Sequence, residues 1–402
     1  MAGRIYTQKD FDKIVDRTGT ESIKWDGRKQ VFGNAGVIPL WVADMDFETP
    51  EFIRERIARR LEHPILGYTF RSREFADAFT GWTSRRHNWQ PNPHWITFMP
   101  GIVSAVSVSV LAFTQPGDEV IIQPPVYPPF YFCVEGHGRK LVLNHLIHRN
   151  GRFYMDLDLL ESQISPKTRM IILSSPHNPG GTVWTPGELT DLLTLCRKHD
   201  LWIVSDEIHS DLVFKPTRHT PICTVAGNNL EKILLAMAPS KTFNLAGMST
   251  SVVVIPDEKS RKHYEGLVHT LHVGLGNIFG FEALYAAYEE GDQWLDQLLI
   301  YLKGNRDYLD SFFRNEIPQI EMMIPEGTYM AWLDFSKLQM TPDELNRFLI
   351  DQAGLGLNSG TQFGPGGEGF MRLNFACPTS LVVQATRQLK EATLKIGTRD
   401  AF

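Results

Sequence analysis

The chain has 402 residues, which is too many for a single small hydrophobic core and predicts one large and one smaller domain. Hydrophobic residues make up 43% of the sequence and charged residues 21%, and the net charge of −6 gives no support for a nucleic-acid partner or an anionic membrane surface. No segment is apolar for long enough to cross a bilayer, and residues 1–6 lack the apolar core of a signal peptide. The four cysteines have neither metal-site spacing nor a disulfide pattern, which predicts reduced thiols in a cytoplasmic protein: Cys133, Cys196, Cys223 and Cys377.

Strands and helices alternate from Thr97 to about Ile255, and this order predicts a mainly parallel sheet covered by helices. Such sheets bind ligands at the carboxyl ends of their strands, so polar residues that follow a strand are candidates for a site. The predicted strands cover residues 120–123, 170–174, 202–205, 233–236 and 252–255.

The first candidate is the start of a helix predicted over residues 102–113, directly after Pro100-Gly101. Glycine lets the backbone approach an anion, and the start of a helix presents unpaired N–H groups to it. The backbone amides of Ile102 and Val103 are therefore candidates for binding a phosphate. A Pro-Gly pair before a helix is ordinarily only a helix start, and this remains the alternative.

Tyr127 follows the next strand and has two prolines on each side, in Pro124-Pro125-Val126-Tyr127-Pro128-Pro129. Prolines restrict the backbone and would hold the aromatic ring rigidly. We interpret Tyr127 as a ring that stacks on a flat ligand. The alternative is a buried tyrosine of the core.

Three further polar residues each follow an apolar strand. The Asn178 amide can donate to a phenolate oxygen, although its Pro-Gly surroundings are also typical of a turn that ends a strand. The Asp206 carboxylate can keep a pyridine nitrogen protonated, or it can cap a turn. Lys241 lies in Pro239-Ser240-Lys241-Thr242-Phe243-Asn244, and a buried lysine has a lowered pKa and forms Schiff bases.

This series of side chains is what pyridoxal 5′-phosphate (PLP) requires: an amine for its aldehyde, a carboxylate for its ring nitrogen and a donor for its phenolate oxygen. The Ser240 hydroxyl, next to the lysine, is a further candidate for the phosphate. His177 and His209 flank the predicted site, but a histidine near PLP is more often a packing residue, so neither is counted as catalytic. Asp211 either orients Ser210 or caps a turn.

The C-terminal part from about residue 294 predicts a separate α/β unit. It begins with a long helix, continues with a strand near 329–335 and a helix from Pro342, and ends with a strand near 370–375. With the N-terminal segment it forms the predicted small domain, so residues 50–290 are assigned to the large domain and residues 1–49 plus 291–402 to the small one. The glycine-rich stretch 363–369 is predicted as a loop.

The chain resembles the PLP-dependent class I/II aminotransferase superfamily of fold type I, from about residue 32 to 389. Within it, the sequence is similar to the cystathionine β-lyase or C–S lyase subgroup. The resemblance implies an α/β fold with a mainly parallel seven-stranded sheet in the large domain. It is carried by Ile38-Pro39-Leu40-Trp41-Val42-Ala43-Asp44-Met45-Asp46-Phe47, Gly67-Tyr68-Thr69, Pro176-His177-Asn178-Pro179, Asp206-Glu207-Ile208-His209-Ser210-Asp211 and Pro239-Ser240-Lys241-Thr242-Phe243-Asn244.

The resemblance also implies roles for single residues. Lys241 would bond to PLP, Asp206 would pair with the ring nitrogen, Asn178 would donate to the phenolate oxygen and Tyr127 would stack on the ring. Tyr68 would reach the phosphate in the neighbouring subunit of a homodimer. The predicted substrate ligands are Arg372, Asn178 and Tyr127. The planar guanidinium of Arg372 would bind the substrate α-carboxylate in a bidentate manner.

Two positions depart from the wider superfamily, in which many members place a serine three residues before the lysine and an arginine eight residues after it. Here these residues are Ala238 and Ser249. Phosphate binding is therefore expected to depend on backbone amides, on Ser240, on Thr242 as a further contact, and on the partner's Tyr68. Trp41, Asp44 and Asp46 either shape the substrate entrance or pack between domains.

The expected reaction is β-elimination from L-cystathionine or a related S-substituted cysteine, giving a thiol such as homocysteine, with pyruvate and ammonia. An aminotransferase on the same scaffold is the alternative, because transamination shares the first proton removal. A lyase with an added role in binding a transcription regulator is a third possibility. The expected partners are a small amino-acid substrate and a second copy of the chain, with no nucleic acid and no membrane.

Overall fold

The structure is a computed structural model, and it describes residues 4–397. Its helices are α1 (Arg28–Phe32), α2 (Glu51–Leu61), α3 (Arg73–His87), α4 (Ile102–Phe113), α5 (Pro129–Glu135), α6 (Leu157–Gln163), α7 (Pro186–Lys198), α8 (Ile222–Val225), α9 (Pro239–Thr242), α10 (Glu258–Thr270), α11 (Ile278–Glu290), α12 (Asp292–Glu316), α13 (Pro342–Arg347) and α14 (Thr379–Gly397). Short 3₁₀ turns cover Gln8–Phe11, Pro93–Trp95, Ala246–Met248, Ser336–Leu338 and Gly360–Phe363, and Phe348–Gln352 forms a π-helical turn.

The strands are β1 (Ile38–Pro39), β2 (Ile96–Met99), β3 (Glu119–Ile122), β4 (Lys140–Leu143), β5 (Ile147–Arg149), β6 (Arg152–Tyr154), β7 (Thr168–Ser174), β8 (Trp202–Asp206), β9 (Ile233–Met237), β10 (Ser251–Val254), β11 (Glu321–Met323), β12 (Met330–Asp334), β13 (Leu355–Gly356), β14 (Asn358–Ser359) and β15 (Phe370–Asn374). Among residues 4–397, no helix is both long and apolar enough to cross a membrane.

A seven-stranded sheet in the described part of the chain carries the predicted strands, in the order β2-β10-β9-β8-β7-β3-β4. The strands β9, β8, β7, β3 and β4 run parallel, whereas β10 runs antiparallel to both of its neighbours. The prediction of a mainly parallel α/β sheet is confirmed. The predicted strand ends lie within two residues of the observed ones, and the edge strands β2 and β4 are not among the five predicted strands.

The central strands of this sheet are buried on both faces. In β7, Ile171 packs into one hydrophobic cluster and its neighbour Ile172 packs into another, and Ile203 and Val204 of β8 divide in the same way. Successive side chains of a strand point to opposite faces, so helices must cover both sides of the sheet. This cover leaves the carboxyl ends of the strands as the open edge.

The long helix α7 shows how local sequence sets the element limits. Thr185 accepts the Glu188 N–H, the Glu188 carboxylate accepts the Thr185 N–H in return, and Pro186 occupies the first helical position. This capping box fixes the start of the helix at Pro186. A second, four-stranded sheet is antiparallel and has the order β11-β12-β15-β14. It places Arg372 in the middle of β15.

Candidate active site

A cavity of about 190 Å³ opens at the carboxyl ends of β7, β8 and β9, beside the start of α4. It brings together seven of the residues that the sequence predicts for the site: Ile102, Val103, Tyr127, Asn178, Asp206, Ser240 and Lys241. The parallel register explains the meeting, because Ser174 of β7 pairs with Asp206 of β8, which in turn pairs with Ala236 of β9. Residues that follow these strands therefore converge at one edge of the sheet.

Lys241 lies in the short helix α9, directly after β9. Its Nζ donates a hydrogen bond to the Ala43 carbonyl oxygen at 2.7 Å. Burial lowers the pKa of the ammonium to about 8, and the nearby positive charge of Arg372 acts in the same direction. A lysine with this pKa supplies a neutral amine near neutral pH, as a nucleophile or a base requires.

Asp206 is the last residue of β8 and is buried. Burial raises the pKa of its carboxyl group to about 7, although the Ile208 N–H, which donates to Oδ1 at 3.1 Å, and the charge of Lys241 oppose that shift. Within residues 4–397, no basic side chain forms an ion pair with Asp206 at 4 Å or less. The cavity thus presents a buried carboxyl group suited to a ligand that carries an N–H.

Asn178 lines the cavity and is hydrogen-bonded to Arg372, which is not itself a lining residue. The Asn178 Oδ1 accepts a hydrogen bond from Arg372 Nη1 at 3.0 Å. A guanidinium only donates, so the amide must turn its oxygen toward Arg372, and this leaves Nδ2 as the donor for a ligand. The prediction that Asn178 donates to the ligand therefore agrees with the orientation of its side chain.

Arg372 is buried and is fixed by further acceptors. Its Nη2 donates to the Trp41 carbonyl oxygen at 2.8 Å and to Asn358 Oδ1 at 2.7 Å, and its guanidinium lies 4.9 Å from the centre of the Phe363 ring. Burial lowers its pKa to about 10. Its Nε has no hydrogen-bond partner among the described residues. A buried guanidinium with an unpaired N–H favours an anionic ligand next to Asn178.

The start of α4 forms the opposite end of the cavity. Gly101, Ile102, Val103 and Ser104 all line it, and the first backbone hydrogen bond of the helix is the one from the Ala105 N–H to the Gly101 carbonyl. The N–H groups of residues 102–104 therefore lack helical acceptors, and these are the groups that bind phosphates at helix starts.

Hydroxyl groups face this helix start from other segments. Ser240, Ser249 and Thr250 line the cavity, so position 249 contributes a hydroxyl to it. The expected phosphate contact from Thr242 is wrong. Its hydroxyl donates to Asp211 Oδ2 at 2.8 Å, and its side chain does not line the cavity.

Tyr127 lines the cavity and its ring packs edge-to-face on Phe130, with a centroid distance of 5.9 Å. His209, which was not counted as a site residue, also lines the cavity. Burial, with the charges of Lys241 and Arg372, lowers its pKa to about 3, so the imidazole is neutral, and its Nδ1 is unpaired within residues 4–397. Its place in the turn three residues after Asp206 is the signal that could have identified it.

His177 belongs to the turn rather than to the cavity. Its Nδ1 accepts the Gly180 N–H at 3.3 Å and its ring packs edge-to-face on Phe153 at 5.3 Å. Burial lowers its pKa to about 3. The interpretation of His177 as a packing residue agrees with these contacts.

The segment 41–47 closes one side of the site through its backbone. The Ala43 carbonyl accepts hydrogen bonds from Lys241 and from the Tyr329 hydroxyl, the latter at 3.0 Å. The two acidic residues of the segment are paired with basic partners, in the ion pairs Arg17–Asp44 at 2.7 Å, Arg17–Asp46 at 2.8 Å and Lys24–Asp46 at 2.7 Å. These pairs anchor the segment against the N-terminal residues.

Tyr68 is, besides Thr242, a predicted cofactor contact that a single chain does not bring to the cavity. Its side chain is 98% exposed, and it lies in a stretch without helix or strand, close in sequence to the exposed Ile65, Leu66 and Phe70. An apolar surface of this kind is typical of a contact between proteins. The role of Tyr68 in a second subunit stays a prediction.

Comparison with known proteins gives a consistent result. The family model described as "Aminotransferase class I and II" matches residues 35–388. The chain is 42% identical to the cystathionine β-lyase PatB of Bacillus subtilis, over 95% of the chain and 99% of the relative. Among solved structures it is similar to PLP-containing cystalysin from Treponema denticola, with a TM-score of 0.93 at 33% identity over 96% and 99% of the two chains, and to the PLP-bound C–S lyase from Staphylococcus hominis, with a TM-score of 0.89 at 33% identity over 95% and 97%.

The donors and acceptors of the cavity fit PLP. At one end, unpaired N–H groups at the start of α4 fit a phosphate, and at the other, the buried Asp206 carboxyl has no basic partner among the described residues and fits a protonated ring nitrogen. Lys241 has a lowered pKa that suits bonding to an aldehyde, and Asn178 presents an amide donor. The site therefore meets each requirement that the cofactor imposes.

Proposed function

The chain belongs to the aminotransferase class I and II family and has the fold-type I architecture, and from this premise we propose that it is a PLP-dependent carbon–sulfur β-lyase. Its substrate is L-cystathionine, or a related S-substituted cysteine, and the products are a thiol such as homocysteine, pyruvate and ammonia. The observation that carries the proposal is the meeting of Lys241 and Asp206 in one cavity, with Arg372 linked to it through Asn178. The similarity to proteins named cystathionine β-lyase and C–S lyase supports the choice of reaction.

When it is bound, PLP supplies an electron sink for the electron pair at the substrate Cα. Residues of the chain bind the substrate and remove its Cα proton. Arg372 binds the α-carboxylate through its positive charge and its Nε–H, which has no acceptor among the described residues. Lys241 takes the Cα proton as a general base, and its lowered pKa keeps a fraction of the amine neutral near pH 7.

Asp206 and Asn178 hold the charge distribution that favours proton removal. Asp206 would accept the N–H of the ring nitrogen, Asn178 would donate to the phenolate oxygen, and Tyr127, which lines the cavity, would pack on the ring. The thiolate then leaves from Cβ and takes up a proton to give the thiol. Addition of one water to the remaining three-carbon fragment yields pyruvate and ammonia, which balances the reaction.

The domain division and the assembly are part of this proposal. Residues 50–290 form the large domain around the seven-stranded sheet, and the described parts of 1–49 and 291–402 form the small domain around the four-stranded sheet. Residues 1–3 and 398–402 of this assignment lie outside the described residues. Two copies form a homodimer in which Tyr68 reaches the phosphate of the partner, supported by its exposure within an apolar stretch. A cytoplasmic location is supported by four buried free cysteines: Cys133, Cys196, Cys223 and Cys377.

The test is a pyruvate and free-thiol assay with L-cystathionine and without any added 2-oxo acid. Steady release of both products by wild type, and its loss in Lys241→Ala, is the expected result, because the variant lacks the base and the amine that bonds to PLP. The matched control is Lys337→Ala, which removes an exposed lysine paired with Glu321. Conversion of PLP to pyridoxamine phosphate without pyruvate would identify an aminotransferase instead. Undiminished pyruvate from Lys241→Ala would refute the assigned role of the lysine.

A further inference from the structure

Asp211 is a buried carboxylate just outside the cavity, and it neither orients Ser210 nor caps a turn. Its Oδ1 accepts hydrogen bonds from Trp82 Nε1 at 3.0 Å and from His87 Nε2 at 2.8 Å, and its Oδ2 accepts one from the Thr242 hydroxyl at 2.8 Å. Burial would raise the pKa of this carboxyl group, but the hydrogen bond and charge of His87, with the other two donors, hold it below its usual value. Asp211 is therefore an ionised group with a full set of donors.

Thr242 is the residue that links this group to the site, since it directly follows Lys241. Both lie in α9, which has only four residues, Pro239–Thr242. A helix of one turn has little stability of its own, so contacts with the rest of the fold must set its orientation. The Thr242 hydroxyl is fully buried on the side away from the cavity, while Lys241 lines the cavity.

The network behind α9 extends to the neighbour of Asp206. The His87 ring lies edge-to-face on His219, with a centroid distance of 5.6 Å, and His219 Nε2 lies 2.6 Å from Glu207 Oε2. Glu207 Oε1 also accepts the Ser205 hydroxyl at 2.9 Å. The two residues that flank Asp206 in sequence are thus bonded to each other, and the same buried layer supports both Asp206 and Lys241.

We propose that Asp211 is a positioning residue for Lys241: it holds α9 through the Thr242 hydroxyl and is itself fixed to α3 by Trp82 and His87. The proposal rests on the proposed function only in that Lys241 is the reactive lysine. Without the Thr242 bond, α9 can rotate, and the lysine Nζ moves relative to Asp206 and to the Ala43 carbonyl. The substrate carboxylate is bound by Arg372 on β15, which this change does not touch.

The test compares Thr242→Val, which removes the hydroxyl at nearly equal volume, with Thr242→Ser, which keeps it. The control is Thr393→Val on α14, where a buried hydroxyl bonds only within its own helix, to the Leu389 carbonyl at 2.8 Å. We expect kcat to fall roughly tenfold in Thr242→Val with KM nearly unchanged, since a small misplacement of a reacting group slows the chemical step. Thr242→Ser should restore kcat, and the control should keep it.

A second readout does not depend on turnover. In the full chain freed of PLP, the pH dependence of Lys241 labelling by an amine reagent, followed by peptide mass spectrometry, reports the pKa of its ammonium. A lysine released from its buried position should label with a midpoint about one pH unit higher in Thr242→Val, toward the ordinary value. Thr242→Ser and Thr393→Val should keep the wild-type midpoint.

The outcomes separate the two proposals. A Thr242→Val protein that loses thermal stability but keeps both kcat and the labelling midpoint would overturn the positioning role, because Thr242 would then be only structural. An equal fall of kcat in Thr242→Ser would overturn it as well. A shifted labelling midpoint in a protein that yields no pyruvate would support the positioning role while refuting the lyase function.

Discussion

Replacement of Asp206 by asparagine should make the PLP-free protein more stable at alkaline pH. The carboxyl group has a pKa of about 7 in the fold against 3.8 as its ordinary value, and its burial is the main cause. The pKa is raised on folding, so the unfolded chain releases this proton first. Below pH 3.8 the carboxyl group is protonated in both states and does not lower the free energy of unfolding. Above pH 7 it is ionised in both states, and its destabilisation of the fold has reached its full value.

The magnitude follows from that window. Between pH 5 and pH 7 the carboxyl group is ionised in the unfolded chain but still largely protonated in the fold, and each pH unit costs about 1.4 kcal/mol. The difference in unfolding free energy between Asp206→Asn and wild type should therefore grow by about 3 kcal/mol from pH 5 to pH 8. Asparagine keeps the carbonyl oxygen that accepts the Ile208 N–H.

The assay is denaturant unfolding of both PLP-free proteins at pH 5 and at pH 8, with Asp77→Asn as the control for an amide on the exposed face of α3. With PLP bound, the wild type should be the more stable of the two proteins, because asparagine cannot supply the negative charge that pairs with a protonated ring nitrogen. We expect the variant to bind PLP more weakly and to lose activity. A difference in unfolding free energy that stays constant from pH 5 to pH 8 would refute the assignment of a raised pKa to the Asp206 carboxyl group.

Two further predictions concern the substrate and the assembly. Arg372→Lys should raise KM for L-cystathionine about 10- to 100-fold, since an ammonium lacks the Nε–H that has no acceptor within residues 4–397 and cannot replace the other guanidinium hydrogen bonds at the same time. An unchanged KM, as expected for the exposed control Arg387→Lys, would exclude Arg372 as the carboxylate ligand. Mixing inactive Tyr68→Ala with inactive Lys241→Ala should restore activity, because a mixed dimer contains one site with both residues intact; no recovery after proven subunit exchange would refute a shared site.

Much of the site could be predicted from local sequence, for a geometric reason. Asn178, Asp206 and Lys241 each lie at or within four residues of the end of a strand, and parallel strands bring such residues to one edge. The pattern needed no knowledge of which strand pairs with which. Ile102 and Val103 were predictable in the same way, because a helix start binds an anion through its backbone.

Strand direction and edge strands were harder to predict. The residues of β10 are all buried, and such a run has the same apolar pattern whether it is parallel or antiparallel. The edge strand β4 begins at the exposed Lys140 and is only partly buried, so it lacks the continuous apolar run that marks the central strands. Arg372 lies 194 residues from Asn178, and only the family resemblance linked the two.

Asp206 and Asp211 show most clearly what a sequence leaves open. They lie five residues apart, Asp206 at the end of β8 and Asp211 in the turn that follows, and both are buried. Burial raises the pKa of Asp206, whereas hydrogen bonds hold the pKa of Asp211 low. The difference lies in their donors: Asp206 receives one backbone N–H, and Asp211 receives three side-chain donors from α3 and α9. The three donors lie 31 to 129 residues from Asp211 in the sequence, so no local sequence pattern predicts them. A carboxylate whose donors come from the fold supports structure, and one left short of donors is poised for a ligand that brings its own proton.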